Sequence, residues 1–464
     1  MDTSLYTACE NPSALFSTPP ESLLHQIYRE FTSDINRLKR AYSVRDAQAS
    51  LPNSCPSPSH ILFGQEYDEV NRTLVGLLAL RWIHRGEYEG FIGEAPSETR
   101  LSRESFDWIR DLYALVITYA ESPGDALYTL LTLIITNDLG KDPELACEYR
   151  SITGTDISDS NHDAILLKAY EAGLIPSLDR LPGPYKQAAL SGLKLASKFN
   201  LGQLAQAENA PVCFSALLEF QEETWTGSDG GDEGVMRAFN LRFMEQLLDI
   251  AGAGGHMDWT CAAKLNEAVF DSYRGVYEAC YGVFEGRMSC EEAYDVVLRR
   301  RAAFLMRRGV DLDFDLSINQ TSGNTRAFMR LLCMGNVTTA DVAELYESTW
   351  EDLDPRIKEE LEQALNVLGT RGKPAIQPTY MPAFLSGIKN RKELDSALRF
   401  LHRVVTAPVI ATETESGDLD PSVVVIERSV LGILKEFVEP GLFHEDPIVL
   451  DAVGTPKGVV ALRQ

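Results

Sequence analysis

Residues that can do chemistry crowd into one stretch of this sequence, Asn137-Asp138-Leu139-Gly140-Lys141-Asp142-Pro143-Glu144, directly after the apolar run Ala126 to Ile135. Polar groups at the end of a buried helix are costly to desolvate unless they bind something. Carboxylates are hard oxygen donors, and Mg²⁺ takes a few of them together with phosphate oxygens rather than a closed protein cage. Asp156, Asp159, Asn161, His162 and Asp163 follow shortly, just before a second apolar helix. Two acidic groups at neighbouring helix ends can therefore share a divalent cation. The plainer alternative is capping. Asp142-Pro143 reads as an N-cap followed by proline in the first turn, and Asp159 or Asn161 can cap the next helix. Asp138 resists that explanation, because a negative charge at a helix C-terminus opposes the macrodipole. Lys141 or a metal must offset it.

A second cluster comprises Arg242, Glu245 and Asp249, followed by Gly252-Ala253-Gly254-Gly255-His256-Met257-Asp258-Trp259. A glycine-broken helix can aim groups into a cavity; a simple corner with Asp258 as N-cap fits equally well. It lacks the G-x-G-x-x-G order after a strand, so a dinucleotide fold is not supported. Glu208-Asn209 before Pro211 makes a third corner of the same kind. Lys141, Arg242, Lys264, Arg326 and Arg330 are the candidates to hold a diphosphate. Arg299-Arg300-Arg301 and Arg307-Arg308 read as a solvated helix face. The sequence has no G-x-S-x-G elbow, H-E-x-x-H pair or Walker loop.

The elements that must position these groups are helices. Leu24, Ile27, Tyr28, Phe31, Ile35 and Leu38 recur at helical spacing, which predicts a helix over Glu21 to Tyr42. Helical runs are expected near 67–86, 102–120, 124–138, 143–150, 162–173, 185–199, 211–223 and 235–251. They continue from Trp259 to Glu285 and near 290–309, 323–334, 339–350, 355–368, 391–405 and 421–437. Val423-Val424-Val425-Ile426 is the one strongly β-like segment, and since helix is expected after it, no sheet is predicted. The expected fold is all-α, a large single-core helical bundle. Residues 1–60 form an N-terminal helix-and-loop extension, and 61–464 a single helical catalytic domain.

Composition narrows the partners. The chain has 464 residues, 44% of them hydrophobic, which is enough to pack a core and argues against wholesale disorder. Its net charge of −25 repels nucleic acid and anionic membranes, so neither is an expected partner. Eight cysteines without a C-x-x-C pair suggest buried free thiols in a reducing compartment. The N-terminus lacks a basic patch followed by an apolar core, and the longest apolar segment is too short to span a bilayer. A cytoplasmic location is expected, and a homodimer is an open option.

Two family resemblances attach to these residues. Asp138-Leu139-Gly140-Lys141 resembles the D-x-G-K corner of HD-domain phosphohydrolases, which place a metal-binding histidine immediately before that aspartate. Here the position holds Asn137, and His162-Asp163 is the pair available to replace it. In length, helical pattern and acidity the chain also resembles class I terpene cyclases of the atypical fungal humulene-synthase group. Asp138-x-x-x-Asp142 and Asn137-Asp138 echo the aspartate-rich and Asn/Ser/Glu patterns of that family, although no D-D-x-x-D occurs. The cyclase resemblance implies Mg²⁺ held by Asp138, Asp142 and Asp163 with Asn137 or Asn161. It implies a prenyl diphosphate substrate, farnesyl diphosphate by resemblance, neutralised by Lys141, Arg242 and Arg326. It also implies an aromatic pocket including Phe239, Phe243 and Trp259 that shields the carbocation. The cyclase is the leading expectation. An HD-like phosphohydrolase and a non-catalytic helical protein are the alternatives.

Overall fold

A helix with no polar face must be surrounded, and Pro123–Thr136 is such a helix: every side chain from Ala126 to Thr136 is buried. Its threonines limit the cost by donating their hydroxyls to carbonyls four residues earlier, Thr129 to Asp125, Thr132 to Tyr128 and Thr136 to Thr132. The computed structural model describes residues 4–42, 55–158, 160–225, 231–310, 323–409 and 422–463. Among them helix dominates, as an all-α chain requires, and strand is confined to three short segments. No helix is long and apolar enough to cross a membrane among the described residues.

The chain divides into two compact units, one of Met1–Ser197 with Glu219–Phe270, the other of Lys198–Leu218 with Asp271–Gln464. The N-terminal helices therefore pack as part of the first unit. In that unit five helices matter most: α1 (Asp68–Arg85), α2 (Pro123–Thr136), α3 (Pro143–Thr153), α4 (His162–Glu171) and α5 (Asp232–Gly252). Helices α1 and α5 approach unusually closely because glycine faces backbone on both sides. A β-carbon at Gly76 would lie 2.7 Å from the Leu248 carbonyl oxygen, and one at Gly252 would lie 2.2 Å from that of Arg72. The Gly252-rich segment ends α5 as its composition predicts, and it also lets two helix backbones touch.

At the C-terminus of α2 the chain tightens into a 3₁₀ turn, Asn137–Lys141, before Asp142 caps α3 by accepting the Glu144 N–H. Asn161 caps α4 by accepting from the Ala164 N–H. Asp159, the other capping candidate, lies outside the described residues. The single helix predicted over Glu21 to Tyr42 is two, Pro20–Glu30 and Thr32–Leu38, because Phe31 leaves helical geometry to bury its ring. The helix predicted from Trp259 starts only at Glu267.

The second unit contains α6 (Cys290–Arg307), α7 (Gly323–Met334), α8 (Pro355–Leu365) and α9 (Arg391–Thr406). It also holds a sheet that helical periodicity does not anticipate. β1 (Ala375–Gln377) pairs in parallel with β2 (Val423–Glu427), and β3 (Val459–Arg463) pairs antiparallel to β2. Val423 to Ile426 are completely buried, so the β-branched run forms a central strand covered on both faces. Arg428, just beyond it, donates to the carbonyls of Val404, Ala407 and Pro408 and so closes the C-terminus of α9. The arginine run of α6 also departs from a solvated face. Arg301 is buried and donates to Ser272 and Val337, and Arg300 pairs with Asp271 and Glu278. All eight cysteines are free thiols, five of them buried.

Candidate functional site

The 3₁₀ turn after α2 turns Asp138 inward, into the first unit. The residue is 5% exposed, and Lys141, one turn later, closes back on its carboxylate with Nζ 2.8 Å from Oδ1. The same ammonium lies 2.7 Å from Glu69 Oε1 on α1. Burial opposes ionisation of Asp138, but the Lys141 charge, a hydrogen bond with Glu69 and the nearby His162 outweigh it and hold the carboxyl well below the usual range. Glu69 takes the opposite direction. Burial and the neighbouring Asp138 push it up to about 7. The two carboxyls titrate as a pair that favours one ionised member.

Helix α4 delivers its first two residues to this turn. The carbonyl of His162 packs directly on Gly140, where no side chain would fit. His162 Nε2 consequently stands 3.9 Å from both Asp138 Oδ1 and Asp163 Oδ2. Helix α5 supplies Arg242, Glu245 and Asp249 at helical spacing, which puts them on one face. Arg242 donates to Asn137 Oδ1 at 3.1 Å, pairs with Glu245 and lies 3.9 Å from Asp163 Oδ1. Gln246 donates to Asp249 at 3.4 Å. Arg72 on α1 completes the set, 3.5 Å from Glu69 Oε2.

The cluster is short of positive charge. Five carboxylates, Glu69, Asp138, Asp163, Glu245 and Asp249, meet three fixed cations, Arg72, Lys141 and Arg242. Full ionisation would strand two negative charges in a poorly hydrated site, which is expensive. Two responses are available, proton uptake or a bound cation. Burial raises Glu245 to about 8 and raises Asp249 as well. Glu245 Oε1 is buried without a hydrogen-bond partner. Glu245 helps to line a small cavity of about 10 Å³, room for one water, together with Arg72, Asp138 and Asp249. A second cavity of about 10 Å³ is lined by Asn137, Arg242, Glu245 and apolar residues such as Leu133 and Leu241.

Of the residues singled out from sequence, Asn137, Asp138, Lys141, Asp163 and Arg242 come together. The others go elsewhere. Asp142 is fully buried against Arg37 and Arg40, at 3.3 and 2.6 Å, besides capping α3. Asn161 is spent on the α4 cap. Both were expected as metal ligands, and helix capping claims them instead. Arg326 belongs to the second unit, where it pairs with Asp295 at 2.8 Å. Arg330 is there too, buried and donating to the carbonyls of Ala207, Glu208, Asn209 and Leu365. Phe239 and Phe243 are fully buried and packed on one another, with Phe243 edge-on to Trp108. Trp259 donates its indole N–H to the Cys55 carbonyl. None of these three aromatic residues lines either cavity.

Sequence reasoning missed Glu69 and Arg72, and it left Glu245 and Asp249 outside the proposed ligand set. Glu69 sits in the first turn of α1, where an acid is ordinarily just a favourable partner for the helix dipole. The glycines at 76, 140 and 252 were the available signal, since each marks a place where backbones meet.

Residues 24–450 match a family model described as a family of unknown function (DUF6829). No curated protein and no solved structure matches the chain.

Proposed function

The chain belongs to DUF6829, a family of unknown function, and we propose that its buried Asp138–His162 cluster is the centre of an HD-like, divalent-cation-dependent phosphohydrolase. One observation carries this reading: the Asp138-Leu139-Gly140-Lys141 corner and the His162-Asp163 pair, separate segments of the sequence, meet through Gly140. The imidazole that Asn137 does not supply next to Asp138 comes from α4 instead.

The donor chemistry suits a hard or borderline cation such as Mg²⁺ or Mn²⁺: carboxylate oxygens, one imidazole, and a buried Glu245 oxygen lacking a partner. Asp138, His162 and Asp163 would hold it, with Glu245 within the same charge cluster. Among the described residues no three His, Cys, Asp or Glu side chains stand at ligand spacing, and the Lys141 ammonium lies between Glu69 and Asp138. Such an ion, if bound, would supply Lewis-acid polarisation of a phosphoryl oxygen and a more acidic water. The chain's own residues do the rest. Arg242 holds Asn137 and Glu245 in place and offers a fixed positive charge beside Asp163. Lys141 keeps Asp138 ionised and therefore able to ligate.

Incubating the purified protein with Mn²⁺ or Mg²⁺ and a panel of phosphate monoesters and nucleotides tests the proposal. Chelator-sensitive phosphate release, lost in Asp138→Asn with helicity intact, is the expected result. A folded protein that releases no phosphate with any metal sinks it.

The convergence of Asn137, Asp138, Lys141, Asp163 and Arg242 also favours a second reading, the class I terpene cyclase, which needs carboxylates and cations around a diphosphate. That chemistry also needs a dry cavity for the hydrocarbon. The two cavities beside the cluster each admit about one water and favour neither substrate; the His162 imidazole beside Asp138 and Asp163, the ligand type that the hydrolase resemblance calls for, is why the hydrolase comes first. Hydrocarbon formed from farnesyl diphosphate and Mg²⁺ would reverse the order. Neither product would leave a non-catalytic helical protein.

A further inference from the structure

Lys39 follows the last turn of the helix Thr32–Leu38 and lays its ammonium over two aromatic rings, 4.5 Å from the centroid of Phe63 and 5.5 Å from that of Tyr67. The rings stand nearly perpendicular, at 88° with centroids 5.7 Å apart, and form a corner that the cation occupies. Local chemistry builds that corner. Phe63 ends the short helix Pro58–Phe63, and Gly64, at a φ of 68°, turns the chain back. Tyr67 is then fixed by its N–H, which donates to Ser59 Oγ at 3.0 Å, and by its hydroxyl, which donates to Gln65 Oε1 at 3.2 Å. Tyr28, on the helix Pro20–Glu30, packs at 90° to Phe63 with centroids 5.1 Å apart and braces that ring. All three aromatic residues and Lys39 are half-buried, and all belong to the first unit. The chain offers 68 acidic residues, yet among the described residues no carboxylate pairs with Lys39.

We propose that Phe63 and Tyr67, braced by Tyr28, form a recognition site for a trimethylammonium group, and that the Lys39 ammonium holds the place of that ligand. The proposal is independent of the phosphohydrolase reading. A ring face attracts any cation through its quadrupole, and hydration decides which cation gains most. A primary ammonium is compact and strongly hydrated, so seating it on a ring sacrifices water contacts that the ring only partly replaces. A trimethylammonium group presents the same charge through methyl groups, which give up less hydration and add apolar contact with the rings. One single charge replaces another, so the exchange leaves the local charge balance unchanged. The flexible four-carbon stem of Lys39 lets its ammonium return to water without moving the helix that carries it. A net charge of −25 also draws cations toward the protein.

Calorimetric titration of the full chain with choline, and with 3,3-dimethylbutanol as its uncharged isostere, tests this. Choline is expected to bind about tenfold more tightly than the isostere, which keeps the methyl groups and loses the charge. Lys39→Gln removes the resident cation, and choline affinity is expected to rise about threefold or more. Tyr67→Leu and Phe63→Leu are each expected to weaken choline binding about tenfold, with circular dichroism confirming the fold. If neither leucine variant folds, the comparison of choline with its isostere on wild type carries the test. A short peptide bearing trimethyllysine, run beside its unmethylated form, identifies the source of the group: tighter binding than choline assigns a modified protein segment, and weaker binding a free choline-type molecule. No binding of choline or of the trimethyllysine peptide to wild type and to folded Lys39→Gln overturns the proposal. So does equal binding of choline and its isostere, or an affinity that Tyr67→Leu leaves unchanged.

Discussion

The carbonyl oxygen of His162 lies against Gly140 so closely that a β-carbon there would come within 1.9 Å of it. This contact joins the turn that carries Asp138 and Lys141 to the helix start that carries His162 and Asp163. Gly140→Ala must push the two segments apart. A loss of ~3 kcal/mol is expected, the upper range for overpacking, because the obstructing atom is backbone and cannot rotate away. Urea unfolding followed by circular dichroism measures it. Loss of Mn²⁺ binding at denaturant-free conditions, where the variant is still folded, is the accompanying functional result.

Asp138 and Asp142 are one helical turn apart and do different work, so their variants separate function from stability. Asp138→Asn removes the carboxylate that Lys141 and His162 face. Phosphate release should fall by more than about a hundredfold with helicity retained. Asp142→Ala breaks the α3 cap and the contacts with Arg37 and Arg40. It should cost ~2 kcal/mol, less than a wholly buried pair because Arg40 is 39% exposed and screened by solvent. Turnover should be unchanged. Steady-state kinetics and thermal melts on the two variants, made in parallel, provide the comparison.

Glu208, in the second unit, makes stability depend on pH. Burial raises its carboxyl from 4.5 to about 8, against the lowering influence of the Tyr380 N–H that it accepts. The folded chain therefore holds this proton more tightly than the unfolded chain. The associated stability is fully present below about pH 4.5 and is lost as pH rises through about 8, by at most about 1.4 kcal/mol per pH unit. Glu208→Gln cannot ionise and should flatten that part of the profile. Denaturation midpoints at intervals between pH 5 and 8.5 are the measurement; an unchanged slope in the variant would exclude Glu208 as its source.

Arg330 tests the corner that Glu208 belongs to. Its guanidinium donates to four backbone carbonyls, those of Ala207, Glu208, Asn209 and Leu365, and Ala207 is held at a φ of 52°. Arg330→Met fills similar space and removes the donor to the Glu208 and Leu365 carbonyls, while the Tyr294 hydroxyl still donates to those of Ala207 and Asn209; the expected cost is roughly 3–5 kcal/mol. Chemical unfolding reads the change directly. A loss below about 1 kcal/mol would mean that water replaces the guanidinium.

Helical periodicity and capping chemistry are local properties, and here they were enough to specify the all-α character, the run of α2, the Asp142 cap and a cap at Asp159 or Asn161, of which the structure shows Asn161. The sheet was not legible. Val423 to Ile426 has the side chains of a strand, but its partners Ala375–Gln377 and Val459–Arg463 are distant in sequence, and pairing is a non-local event. Nor was the membership of the site. Sequence alone made Asp142, Asn161 and Arg326 as eligible as Asp163 and Arg242, because residue type says what a side chain can do and not which neighbours will claim it. Only packing decided that Arg37 and Arg40 take Asp142, that Glu69 reaches Lys141, and that glycines at 76, 140 and 252 let two pairs of segments approach closely. Desolvation then completes what proximity begins: removed from water, the same carboxyl groups become costly to ionise, and an excess of two charges becomes a property of the tertiary structure.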